Sequence, residues 1–152
     1  MRLLPLALGV LLLAAGFGGE THATPPARGT LAAALARPGP EIALVQGTSD
    51  YAVGQVRVAF LIIDSHSKSI ERPRARVWVG TSRDAPTVLT TEATLDPIGI
   101  PGTSAAALGD VTRIYVARFR LARPGTYTLV AEPEGAKIQG VATIQVARRR
   151  AR

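Results

Sequence analysis

The residues best equipped for chemistry lie in one short run, Asp64-Ser65-His66-Ser67. A hydroxyl nucleophile, an imidazole base and a carboxylate to orient it are the parts of an acyl-transfer triad. The spacing argues against one. Adjacent residues on an extended chain point apart, and triad groups converge from distant positions. A histidine on a polar surface turn accounts for the run, and no enzymatic activity is expected from it. Metal chemistry meets a similar difficulty. His66 is the only histidine beyond the N-terminal region, and Asp50, Asp64, Asp84, Asp96 and Asp110 are scattered along the chain. A transition-metal site needs denser ligands, and a calcium loop needs several acidic positions at short fixed spacing. Aspartates that shape turns explain the scatter.

The chain has no cysteine, which excludes a thiolate nucleophile, a dithiol redox centre and a Cys-based zinc site. It has no Walker loop or dinucleotide fingerprint, so no cofactor is expected. Three tyrosines and three phenylalanines, one of them near the N-terminus, make no stacking platform for nucleic acid. The most individual feature is a loop from Pro97 to Gly109, PIGIPGTSAAALG, which is apolar for a connection. Ile98, Ile100 and Leu108 are its candidate protein-docking residues. The alternative is that the loop folds over the end of the domain and covers the core.

The elements that must position these residues begin after a leader. Met1-Arg2 is positive, Leu3 to Ala15 is apolar, and Thr21-His22-Ala23 offers small residues for cleavage. Residues 1–23 therefore read as a secretory signal peptide. The apolar run is shorter than the ~20 residues of a spanning helix, so no stable membrane span is expected after cleavage. The alternative is an uncleaved anchor. Residues 24–40 are rich in Pro, Ala and Gly and read as a flexible linker. Within it Leu31–Ala36 could form a helical turn or two, too short to stand alone. Residues 148–152 form a basic tail, and they account for much of the net charge of +7. The body from Thr24 to Ala147 carries 13 basic against 10 acidic residues, an ordinary balance. A solvated tail is the expected reading, and nucleic acid is not an expected partner.

The body, residues 41–147, is a succession of strands. Val56, Val58, Phe60 and Ile62 alternate within Gln55–Ile63, and the other face is apolar enough to suggest burial on both sides. Glu41–Gln46, Arg74–Gly80, Val88–Leu95 and Lys137–Ala147 show the same period of two. Arg113–Glu132 is the clearest case. Tyr115, Ala117, Phe119 and Leu121 share a face, Arg123-Pro124-Gly125 marks a turn, and Tyr127, Leu129 and Ala131 share a face after it. This spacing predicts a hairpin. Seven short strands with turn signals between them predict an all-β fold, an antiparallel sandwich or barrel. Their lengths suit an immunoglobulin-like β-sandwich.

Tyr127 sharpens that expectation. Immunoglobulin-like domains place a corner tyrosine near the start of the sixth strand, two residues before a core cysteine. Tyr127 stands two before Leu129, so its phenol is expected to bond to backbone at the corner. Trp78 falls on the face of Arg74 and Arg76, away from Val77 and Val79. Either something covers that face or a bulge re-aims the ring.

From Glu41 to Val146 the chain resembles the N-terminal immunoglobulin-like domains of bacterial exported proteins whose second domain is thioredoxin-like. The stretches that carry the resemblance are Leu44–Asp50, Glu71–Val79, Pro97–Gly102, Ile114–Phe119 and Pro124–Tyr127. In that group a proline-rich linker and a thioredoxin-like domain with paired cysteines follow. This chain has no cysteine, so no redox residue carries over. The resemblance implies an accessory, non-catalytic binding or scaffolding module in the periplasm, cell envelope or extracellular space. Its expected partner is an envelope protein, the thioredoxin-like class included. A metal-handling envelope protein, for copper or calcium, is the alternative.

Overall fold

The computed structural model describes residues 28–36, 42–48, 50–99, 111–136 and 140–148. One helical turn, α1 (Leu31–Leu35), precedes eight strands: β1 (Ala43–Gln46), β2 (Tyr51–Ala52), β3 (Gly54–Ile63), β4 (Arg74–Gly80), β5 (Leu89–Pro97), β6 (Arg113–Leu121), β7 (Gly125–Pro133) and β8 (Gly140–Ala147). The fold is all-β. The strands form one curled sheet in the order β1-β3-β6-β5-β4-β7-β8-β2. Every ladder is antiparallel except the short parallel pairing of β2 with β8. Seven strands match the sequence expectation. The eighth, β2, falls between the expected strands Glu41–Gln46 and Gln55–Ile63, where two paired residues carry no readable period.

The curl brings β1 back against β8. Gln46 Nε2 donates to the Thr143 carbonyl at 2.7 Å, and Gly140 lies where a Cβ would stand 3.1 Å from Leu44 Cβ. The strands thus wrap one core, and their alternation shows which face looks into it. Val56, Val58, Phe60 and Ile62 of β3 are buried, as are Ala75, Val77 and Val79 of β4. Tyr115, Ala117, Phe119 and Leu121 of β6 join them, with Tyr127, Leu129 and Ala131 of β7 and Ala142, Ile144 and Val146 of β8. The outer face of β3 is covered only in part: Ala59 is buried, Leu61 and Ile63 are half-buried, and Arg57 is exposed.

β6 and β7 are not a hairpin. β6 pairs with β3 and β5, whereas β7 pairs with β4 and β8. The turn at Arg123–Gly125 therefore carries the chain from one region of the sheet to another. Gly125 makes the turn at φ +143°, a conformation open to glycine. Alternation and a turn signal identify two strands and a bend. They do not say which strands share a ladder.

The sheet folds over along β5. Its first part pairs with β4 and its last part with β6, and the two ladders overlap only at Ala93 and Thr94. At the overlap Ala93 sits between Ala75 and Ala117, and all three are fully buried. Small side chains suit this row, where three strands turn toward the core together and a larger group would hold them apart.

Residues 28–36 depart from the free linker expected over 24–40. Thr30 caps α1, its hydroxyl accepting from the Ala33 amide at 3.1 Å. The Ala32 amide donates to the Arg83 carbonyl at 2.9 Å, and Thr87 donates back to Gly29 at 2.8 Å. Leu31 and Ala34 pack on Val130, with Trp78 and Leu35 at the margin. Gly80 has no Cβ, and one there would stand 3.0 Å from the Leu31 side chain. A turn too short to persist alone is held by this packing. It also answers the question posed by Trp78: its face is covered by α1, and the Arg76 guanidinium lies 5.9 Å from its ring centre.

Two outcomes are expected. Ala93→Leu should lower stability by about 1–3 kcal/mol through overpacking, whereas Thr90→Val on the exposed side of β5 stays within about 0.5 kcal/mol; denaturant melts compare them. Leu31→Ala should cost about 2–4 kcal/mol and move the emission of Trp78, the only tryptophan, to longer wavelengths without loss of the β signal in circular dichroism.

Candidate functional site

The chain's three tyrosines do one job at three places. Each ring is buried and each hydroxyl reaches the backbone of a loop. Tyr51 donates to the Thr48 carbonyl at 2.6 Å, and Thr48 Oγ1 lies 2.7 Å from the same phenol oxygen. Thr48 Oγ1 also accepts from the Ala59 amide at 3.4 Å, which ties the β1–β2 loop to β3. Tyr115 accepts from the Arg72 amide at 2.8 Å and donates to the Ile70 carbonyl at 3.0 Å. Its ring stacks on Phe60, its cross-strand partner, with centroids 5.6 Å apart. Tyr127 donates to the Arg123 carbonyl at 2.9 Å. A buried ring lends its phenol a fixed origin, so each loop is pinned to the core without a covalent bond.

The β3–β4 loop held by Tyr115 contains the run Asp64-Ser65-His66-Ser67. Asp64 Oδ1 accepts from the backbone amides of His66 and Lys68, both at 2.9 Å, and Ser67 takes a left-handed φ of 63°. The carboxylate is thus engaged in shaping a turn. The Lys68 amide, more than any other influence, holds the Asp64 carboxyl below its usual range. His66 is exposed, with Ser65 Oγ 3.4 Å from Nδ1. The loop borders an open hollow of about 780 Å³, lined in part by Asp64, Lys68, Glu71, Arg72 and Val111. Its charges are mixed, and no nucleophile and base converge in it.

The remaining candidates are dispersed. Ile98 is half-buried just after β5, its amide donating to the Thr112 carbonyl at 2.8 Å. Ile100 and Leu108, the other candidate docking residues, lie outside the described residues, as do Asp110, the leader and most of the basic tail. Asp50 and Asp84 are exposed on separate loops. Asp96 accepts from Thr94 Oγ1 at 2.8 Å and lies 4.0 Å from the Arg118 guanidinium. Among the described residues no three His, Asp or Glu side chains gather as metal ligands. Among them, too, no helix is long and apolar enough to cross a membrane.

The sequence reading missed two features. The docking of α1 had a signal in Thr30 followed by Leu31, Ala34 and Leu35 at helical spacing. The second is a set of arginines on the outer face of β3 and β6. Arg57 pairs directly with Arg118, and Gln55 with Arg120. Alternation marks each as outward, but only the register brings them together. Compared with protein-family models and with curated proteins, the chain matches none.

Burial raises the ionisation of Tyr51 and Tyr115 above the ordinary tyrosine value of 10.0. The folded chain keeps both phenols neutral to higher pH than the unfolded chain does. Their contribution is therefore complete below pH 10.0 and declines as pH rises toward the folded values. Phenolate absorbance should show both titrating late, and denaturant midpoints should fall over the same range. Tyr115→Phe should cost about 1–2 kcal/mol near neutral pH and soften that alkaline decline.

Proposed function

We propose that the chain is an exported, non-catalytic binding or scaffolding module with an immunoglobulin-like sandwich fold, docking a protein of the bacterial cell envelope. The strand order supports the fold. β1 joins β3 at one end of the sheet and β2 joins β8 at the other, while β6 and β7 cross between its two halves. Tyr127, at the start of β7 with its phenol on the Arg123 carbonyl, is the corner tyrosine of such domains. The resemblance to domains that precede thioredoxin-like partners supports the setting and makes that class the first to test.

The observation that carries the functional reading is the pinning of three loops by buried tyrosines. A binding module needs loops held in one geometry by a rigid frame. Here Tyr51, Tyr115 and Tyr127 provide that frame in a chain without disulfides. The fold itself hosts many functions, so the docking surface must be found by experiment.

An immobilised mature chain should retain an envelope protein, identified by mass spectrometry, and an Ile98→Asp, Ile100→Asp variant should lose it. Unchanged capture by the variant would remove the Pro97–Gly109 loop as the docking element. Capture by neither form would end the reading as a binding module.

A further inference from the structure

β5 leaves β6 at Ala93, so the last paired residue of β6 on that side is Ala117. From Arg118 to Leu121 β6 has only β3 as a ladder partner among the described residues. Among the described residues no strand lies on the far side of that segment, and such an edge accepts a further strand. The outer face beside it is basic. Arg57 of β3 and Arg118 of β6 are direct cross-strand partners, and Arg120 follows two residues on. Like charges set opposite each other on a sheet destabilise it. Relief is slight. Arg118 has Asp96 at 4.0 Å, an exposed and weak pair, while Arg57 and Arg120 have no carboxylate partner among the described residues. An open depression of about 310 Å³, lined by Gln55, Val56, Arg57 and Arg118, lies on this basic β3–β6 face.

We propose that this edge docks an extended acidic segment of the partner protein, added as a strand beside Arg118–Leu121 with its carboxylates over Arg57, Arg118 and Arg120. The inference rests on the reading of the chain as a binding module and names a second contact surface, in addition to the Pro97–Gly109 loop, with the chemistry of its partner. Two observations select the occupant. Uncompensated arginines at fixed spacing call for anions, and an open ladder calls for a peptide backbone. An anionic membrane would answer the first and leave the second unused. Alternation along the added strand places every second side chain on the basic face, so the segment carries acidic residues at alternate positions.

The test uses a fluorescent peptide of alternating valine and glutamate with the full mature chain. Saturable binding that weakens with salt is expected, together with slowed amide exchange over residues 118–121. Arg57→Glu with Arg118→Glu should weaken it by more than about tenfold, and Arg57→Gln with Arg118→Gln by less. Circular dichroism and Trp78 emission check that both variants fold. A backbone N-methylated peptide of the same charge should bind poorly, because it cannot complete the ladder. Absence of binding, equal binding of the N-methylated peptide, or undiminished binding by the charge-reversed variant would each overturn the proposal. Preferential binding to phosphatidylglycerol vesicles without protection of residues 118–121 would also overturn it. If the charge-reversed variant still captures the envelope partner, this surface is refuted and the binding-module reading stands.

Discussion

The architecture depends on how β5 divides itself between β4 and β6. In this curled sheet one strand passes from one half to the other. Here that strand changes ladders within Ala93 and Thr94. The row of Ala75, Ala93 and Ala117 makes the passage possible, since each side chain is small enough for three backbones to converge over a filled interior. The same passage leaves β6, beyond Ala117, with only β3 as a ladder partner among the described residues. The buried alanine row and the stretch of β6 that β5 leaves are two consequences of one crossing.

Closure leaves the loops to be fixed, and the chain does this without disulfides. The buried tyrosines serve instead. Each ring belongs to the core and each phenol belongs to a loop, so core packing and loop geometry are mechanically joined. On the outer face of β4 and β7 a different solution applies. Val130 and Trp78 would stand in water if the sheet were the whole fold. The capped turn at Leu31–Leu35 covers them, and stitches to the β4–β5 loop hold it in place. A segment with the composition of a linker thereby becomes part of the domain.

The functional reading follows from this division between frame and surface. The run around His66 has the residue types of catalysis, but Asp64 is engaged with the amides of its own turn. The arginines of β3 and β6 have unexceptional types and an informative placement. Their register sets Arg57 against Arg118, an arrangement that stability alone does not favour. The proposed docking edge thus rests on the placement of ordinary residues and not on the presence of reactive ones.

The sequence alone determined the strands, because a period of two fixes which side chains share a face whatever the neighbours are. The inward sets on β3, β4, β6, β7 and β8 are legible in this way, as are the turn at Arg123–Gly125 and the position of Tyr127. Helical spacing after a capping threonine also stood in the sequence at Thr30–Leu35, but a turn that short acquires meaning only from the surface it covers. Pairing was decided by tertiary structure. Alternation is the same for a hairpin and for two strands that cross between halves of a sheet, so Arg113–Glu132 could not announce that β6 and β7 lie in different ladders. Register is likewise a relation between strands. The meeting of Arg57 with Arg118, the alanine row at the fold and the stretch of β6 that β5 leaves exist only once the sheet has closed around its core.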